Sequence, residues 1–119
     1  MASAPDPIAM LNLWRETIVQ SLRRETPDLT TRQFAILLTV YLTPPPHTVR
    51  GLAAQLHVSK PAVTRALDRL GLLDLARRKR DDSDRRNVLV QRTVKGSVYL
   101  REFADATLRA AAGTGAADA

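Results

Sequence analysis

Apolar residues recur at the three- and four-residue spacing of a helix in five segments of the chain, and this pattern predicts five helices. The segments run from Asp6-Pro7 to about residue 24, from Thr30 or Thr31 to the prolines at 44–46, over 49–56, from Ser59 to Gly71, and over 93–111. After the fourth segment the spacing becomes two, because Leu73 and Leu75, then Val88 and Val90, alternate with polar residues. This alternation predicts two short strands around a charged tip, so the fold class is mainly α (α+β).

Residues 51–72, with the sequence GLAAQLHVSKPAVTRALDRLGL, indicate two short helices joined by a turn of two or three residues. Ser59 is a favourable N-cap, and Pro61 is tolerated in the first turn, so the second helix has a defined start. Gly71 stands where a left-handed residue often ends a helix, and Leu72 follows it at the position of the accompanying apolar contact.

On a helical wheel the second of these helices has two faces. One face is apolar, with Ala62, Val63, Ala66, Leu67 and Leu70, and the other is mainly cationic, with Lys60, Pro61, Thr64, Arg65, Asp68 and Arg69. A cationic outer face is usually only a solvated face. Here the preceding helix, residues 49–56, has its own apolar set, and the short turn forces the two helices to cross steeply. This favours a helix-turn-helix, whose second helix can enter the major groove of DNA.

The chain has 119 residues, which predicts one domain over 1–119, and it has no cysteine, which excludes disulfides and thiolate metal sites. His47 and His57 are its two histidines, too few for a catalytic or zinc cluster. We therefore predict no catalytic residues, no metal site, no cofactor and no enzyme activity. The N-terminal residues lack the basic and long apolar segments of a signal peptide, and no apolar run approaches about 20 residues, so we expect a cytoplasmic protein without membrane contact.

The formal net charge is +6, and the excess is local: residues 59–92 carry ten cations and five anions. Positive charge concentrated on one structural unit can steer an anion to that unit, so the charge favours a nucleic acid as the partner. The charged run between the two strands also fits the tip of a β-hairpin beside a helix-turn-helix.

The two outer helices, 7–24 and 93–111, carry more apolar residues than a small core can cover. We predict that they pack on a second copy of the chain through the residues Ile8, Leu11, Trp14, Ile18, Tyr99 and Phe103. Residues 29–92 would then form the DNA-binding lobe. Residues 112–119 are small and low in complexity, which predicts a flexible tail.

Three stretches resemble the MarR family of winged helix-turn-helix transcription regulators: LTTRQFAILL (29–38), GLAAQLHVSKPAVTRALDRLGLL (51–73) and RKRDDSDRRNVLVQRTVKG (78–96). The third stretch fits the family's wing pattern at Asp81, Asp84, Arg86, Val88, Val90, Thr93 and Gly96, with Arg92 in place of the family's leucine. The resemblance implies a winged helix-turn-helix with a two-stranded wing and flanking N- and C-terminal dimerisation helices. Family members often bind small effectors, but nothing in this sequence identifies one.

The resulting hypothesis is a homodimeric, sequence-specific repressor that binds double-stranded DNA at a pseudo-palindromic operator. The expected DNA contacts come from the recognition helix and the wing: Ser59, Lys60, Pro61, Thr64, Arg65, Arg69, Arg78, Lys79, Asp84, Arg85 and Arg86. In this hypothesis Asp84 orients Arg86 for the minor groove. Two alternatives remain open: a winged helix used only for protein–protein contact, and a protein that packages DNA without regard to sequence.

Overall fold

The structure is a computed structural model that describes residues 6–114. Five helices and three strands follow one another in the order α1 (Pro7–Arg23), α2 (Thr31–Leu42), β1 (His47–Thr48), α3 (Val49–Leu56), α4 (Lys60–Leu72), β2 (Ala76–Arg80), β3 (Val88–Arg92) and α5 (Val94–Thr114). All five predicted helices are therefore present. Within residues 6–114, no helix is long and apolar enough to cross a membrane.

The helix starts are as the sequence predicts, since each helix has a side chain that accepts from an amide of its first turn. Asp6 accepts from Ile8, and Thr30 forms a reciprocal capping box with Gln33. The other three caps are those of α3, α4 and α5, provided by Thr48, Ser59 and Thr93. These local bonds fix where each helix begins before any tertiary contact forms.

The predicted end of α4 is wrong. The helix continues through Gly71 to Leu72, and the left-handed residue is Asp74, with φ 57°. The amide of Leu75 donates to the carbonyl of Leu70 at 2.9 Å, and the amide of Asp74 donates to the carbonyl of Gly71 at 3.0 Å. This is a Schellman ending displaced along the chain, and Leu75, 1% exposed, takes the apolar position that the sequence suggested for Leu72. A short polar side chain such as aspartate tolerates the left-handed region.

The sheet has three antiparallel strands in the order β1-β3-β2, one more than predicted. β1 has only two residues, so it leaves no alternating pattern in the sequence. The run Ala76–Arg80, predicted as part of the charged tip, forms β2 and pairs along its whole length with β3. Leu73 and Leu75 precede this strand. The wing tip is therefore shorter than predicted and consists of residues 81–87.

The chain divides into two compact units: a lobe, Leu29–Val98, and a terminal-helix unit, which within the described chain comprises residues 6–28 and 99–114. The lobe includes the first residues of α5, beyond β3. Its core is built from α2, α3, α4 and the segment before β2, and the largest fully buried side chains are Ile36, Leu37, Val40, Leu52, Val63, Leu67, Leu70 and Leu75. All five residues of the predicted apolar stripe of α4 are buried.

In the terminal-helix unit, Arg109 of α5 donates to Gln20 of α1 at 3.3 Å, and the hydroxyl of Tyr99 donates to the carbonyl of Pro27 at 3.3 Å. α1 ends at Arg23, one residue before the predicted end. α5 continues to Thr114. Residues 112–114 thus belong to the helix and not to the predicted tail, and residues 115–119 lie outside the described chain.

A single hydroxyl joins three backbone segments of the lobe. The hydroxyl oxygen of Tyr41, in the last turn of α2, lies 2.9 Å from the carbonyl oxygen of Leu75 and 3.1 Å from that of Thr93. It also accepts from the amide of Thr93 at 2.8 Å, while the Thr93 hydroxyl donates to the carbonyl of Asp74 at 2.7 Å. We call Tyr41, Thr93 and the two carbonyls of residues 74 and 75 the tyrosine junction. It links α2 to both ends of the wing.

Arg92, which replaces the leucine of the family pattern, binds the C-terminal end of α2. Its Nε donates to the carbonyl of Val40 at 2.9 Å and its Nη2 to that of Thr43 at 3.2 Å, and its guanidinium lies 5.7 Å from the Tyr41 ring centroid. The last carbonyls of a helix lack intrahelical partners, and α2 has no basic residue in its last turn. Arg92 supplies both the donors and the positive charge that this end favours.

We expect Gly96→Ala to destabilise the protein, because a Cβ at Gly96 would lie 2.0 Å from the hydroxyl of Tyr41 and 2.2 Å from the carbonyl oxygen of Leu75. Overpacking of this kind costs about 1–3 kcal/mol or more. The matched control is Gly71→Ala, where nothing lies within 4 Å of the added Cβ in a helical segment. That change should stabilise by about 0.5–1 kcal/mol. Urea denaturation measures both, and a destabilising Gly71→Ala would contradict the end that we assign to α4.

Candidate nucleic-acid interface

The recognition helix, α4, has the two faces that the sequence predicts. Its buried stripe packs into the lobe, while Lys60, Arg65 and Arg69 are exposed and Thr64 is half-buried. Among residues 6–114, no carboxylate lies within 4.0 Å of a charged nitrogen of these three cations. The exposed face of α4 therefore presents three cations whose charge is not neutralised by a neighbouring side chain.

The N-terminus of α4 is exposed as well. The hydroxyl of Ser59 accepts from the amide of Ala62 at 3.2 Å, and this leaves its own hydrogen available for a second partner. Pro61 follows on the exposed side of the first turn. Unpaired amides and the helix dipole make such an end favourable for a phosphate group.

The wing tip holds an arginine in a defined orientation. Nε and Nη2 of Arg86 donate to the two carboxylate oxygens of Asp84 at 3.1 and 3.3 Å, and the backbone amide of Arg86 adds a third bond at 3.1 Å. The side chain and the amide of Arg86 lower the pKa of Asp84. The Arg86 side chain is nevertheless 84% exposed. The predicted two-point bond is thus present, and one edge of the guanidinium stays open to solvent.

Two further bonds define the shape of the tip. The carboxylate of Asp81 accepts from the hydroxyl and the amide of Ser83, at 2.6 and 2.9 Å, and these bonds lower the pKa of Asp81. The amide of Asp81 donates to the carbonyl of Asn87 at 3.2 Å, and the amide of Asn87 donates to that of Asp84 at 2.9 Å. The backbone of residues 81–87 is therefore closed on itself, which gives Arg86 a fixed base.

Arg78 occupies a different environment from the one predicted. In β2 it lies on the same face of the strand as buried Ala76, and its Nη2 donates to a carboxylate oxygen of Asp68 on α4 at 2.5 Å. Lys79 lies on the opposite face, exposed, and Arg85 is exposed at the tip. The sequence predicts Arg78 as a DNA contact and indicates no role for Asp68. Alternation continued from Leu73 and Leu75 would have placed Arg77 and Lys79 on the inner face. Arg78 lies there instead because the strand begins at Ala76.

The residues predicted to hold a second copy of the chain lie in the terminal-helix unit. Four of them project from α1 and are strongly exposed for apolar side chains: Ile8 63%, Leu11 64%, Trp14 64% and Ile18 48%. Tyr99 and Phe103 of α5 are half-buried, and burial raises the pKa of Tyr99. The structure thus leaves one apolar stripe of α1 in contact with solvent.

Between residues 6 and 114, no three His, Cys, Asp or Glu side chains come together as metal ligands. The lobe does have an open groove of about 570 Å³ beside the recognition helix, whose lining includes Arg32, Leu56, Val58 and Arg65.

The family model described as "MarR family" matches residues 28–87, half of the chain, and this segment contains α2, β1, α3, α4, β2 and the wing tip. No curated protein matches the sequence.

Solved structures share the fold. The transcriptional regulator BldR from Sulfolobus solfataricus is 28% identical, with 96% of this chain and 87% of BldR covered and a TM-score of 0.63. The repressor CouR bound to a 23-mer DNA duplex is 26% identical, with 85% and 68% covered and a TM-score of 0.67. The S. aureus MepR–DNA complex is 22% identical, with 82% and 77% covered and a TM-score of 0.69. The chain spans 66% of a regulator from Thermotoga maritima, Tm0710, with a TM-score of 0.66.

The family match covers the helix-turn-helix and the wing tip, which are the elements that carry the exposed cations described above. The chain therefore belongs to the MarR family, whose members are transcription regulators and not enzymes.

Proposed function

We propose that this protein is a sequence-specific DNA-binding repressor that acts on chromosomal DNA as a homodimer. The observation that carries the proposal is the exposed face of α4, with three unpaired cations and one hydroxyl beside the oriented arginine of the wing. The related proteins CouR and MepR have been solved with DNA, and CouR is described as a repressor. The alternative, a winged helix used only for protein–protein contact, does not explain the unneutralised positive charge on this face.

In this proposal α4 lies in the major groove. Arg65 would pair with a guanine edge, to which its planar guanidinium can donate two bonds, and Thr64 would contact a thymine methyl. Lys60 and the hydroxyl of Ser59, at the N-terminus of α4, bind phosphate and set the register of the helix. Pro61 and Arg69 border the same contact, with Arg69 one turn further along the exposed face.

The wing extends the contact to the minor groove. Arg86 is held by Asp84 in one pose, so less side-chain entropy is lost when the guanidinium enters a groove. A narrow A·T-rich minor groove has an enhanced negative potential that attracts arginine. Lys79 and Arg85, exposed on β2 and at the tip, neutralise phosphates on either side.

The homodimer follows from the exposed stripe of α1. Four large apolar side chains on one helix are more than a solvated face usually carries, and α5 adds Tyr99 and Phe103 in the same unit. Two copies related by a two-fold axis place two α4 helices on DNA, with half-site centres about 10 bp apart. The operator is then a rough palindrome.

We expect Arg65→Ala to cost about 1–3 kcal/mol of binding free energy on an operator selected from a random pool, and to relax base preference at one position of each half-site. Lys60→Ala is the matched control on the same helix face. It should weaken all sequences alike and reduce the salt slope by about one unit per subunit. Fluorescence anisotropy on base-substituted duplexes measures both. A uniform loss for Arg65→Ala would assign Arg65 to phosphate and refute its role as a base reader.

We expect Arg86→Ala to weaken operator binding at least about tenfold while the melting temperature stays nearly constant, since an exposed ion pair contributes about 0–1 kcal/mol to folding. The loss should shrink when A·T pairs flanking each half-site are replaced by G·C, because the minor groove becomes wider. Arg85→Ala serves as the control, because its loss of affinity should be the same with A·T flanks as with G·C flanks. If Arg86→Ala showed that flank-independent loss instead, Arg86 would be a phosphate contact.

Sedimentation should find a dimer at tens of micromolar. Leu11→Glu, which buries a charge in the proposed interface, should give monomers and reduce operator affinity, because each half-site then binds alone. Leu72→Glu is the control, since Leu72 is 83% exposed but lies in the lobe. It should leave the dimer intact. A wild-type monomer at this concentration would rule out the two-fold arrangement.

A further inference from the structure

The recognition helix carries one carboxylate among its exposed cations, and that carboxylate is engaged. Asp68 lies one turn after Thr64 on the outer face of α4, and its side chain is 56% exposed. Its carboxylate accepts from Arg78 at 2.5 Å, across from α4 to β2. The contact therefore connects α4, the helix proposed to read bases, with β2, the strand that leads to the wing tip.

We propose that Asp68 is a specificity-determining residue that competes with DNA phosphate for Arg78. The inference rests on the proposed function, since it concerns how the same surface distinguishes an operator from other DNA. By holding the Arg78 guanidinium against α4, Asp68 removes one cation from the set available to any duplex. It also keeps a negative charge on the face that approaches the phosphates.

The competition favours the carboxylate because it is intramolecular. Asp68 stands within hydrogen-bonding distance of Arg78 in the folded lobe, so its effective concentration is high and ordering it costs little. In a loose complex with random DNA, the phosphates lie at varying distances from Arg78. Their effective concentration near Arg78 is therefore lower than that of Asp68. Non-specific binding is essentially electrostatic, and each neutralised phosphate adds about 0.9 to the salt slope. Withholding one cation per subunit therefore weakens binding to random DNA.

An operator complex depends less on that cation. There, bidentate and apolar contacts to base edges add to the phosphate contacts, and they require α4 and the wing to sit in register together. The bond from Arg78 to Asp68 joins α4 to β2 and supports this register. The same carboxylate thus lowers non-specific affinity and preserves the specific complex, so it raises the ratio of the two.

A double-mutant cycle tests the proposal with the full chain, a selected operator and a random duplex. Asp68→Asn should raise affinity for random DNA at least about fivefold at about 0.1 M salt and increase the salt slope by about one per subunit, because Arg78 becomes free to bind phosphate. Asp68→Asn with Arg78→Gln should return the slope to the wild-type value. Arg78→Gln alone should leave the slope unchanged. Operator affinity should rise less than random-DNA affinity in Asp68→Asn, so the specificity ratio falls.

The control is Asp105→Asn on α5, which makes the same change of net charge at a carboxylate paired with Arg101 at 3.5 Å. It should alter neither slope nor ratio. If Arg78→Gln alone lowers the slope by about one per subunit, Arg78 already binds phosphate in the wild type and the proposal is overturned. The proposal is also overturned if Asp68→Asn raises the affinity for operator and for random DNA by the same factor. If the wild type binds its selected operator no more tightly than random DNA, the proposed function is wrong, and this inference is wrong with it.

Discussion

The hydroxyl of Tyr41 is the contact on which the geometry of the lobe depends. It meets the backbone of Leu75, just before the wing, and of Thr93, just after it. Gly96 leaves the space that this hydroxyl occupies. Because the Schellman ending of α4 leads directly into the same segment, the direction in which the wing leaves α4 is set here. Arg92 adds a second link from β3 to α2, so the wing is anchored at its base while its tip stays exposed.

Much of the lobe could be predicted from the sequence because its signals are local. Caps such as Thr30 and Ser59 act within one turn, and the five-residue stripe of α4 follows from a period of 3.6. The end of α4 could not be predicted, because Gly71 fits a helix end as well as a helix interior. Only the buried position of Leu75 in the lobe selects Asp74 as the left-handed residue. The strand β1 consists of two residues and is defined by its partner β3 alone.

The candidate interface was predictable in its composition but not in its pairing. The sequence places ten cations in residues 59–92, yet it does not show which of them the protein itself neutralises. Arg78 and Arg86 both contact a carboxylate, with opposite consequences: Asp84 orients an arginine that is 84% exposed, whereas Asp68 draws Arg78, 37% exposed, against α4. The number of cations therefore overstates the positive charge that the surface exposes, and the difference depends on strand alternation and helix register.

The most direct test of how this lobe meets DNA is a dimethyl sulfate footprint on the selected operator, because the reagent methylates guanine N7 in the major groove and adenine N3 in the minor groove. With α4 in the major groove and Arg86 in the minor groove, we expect protected guanine N7 atoms in two half-sites about 10 bp apart, and protected adenine N3 atoms in the sequences that flank them. Protection of N3 without N7, or uniform protection along the duplex, would contradict this arrangement of helix and wing.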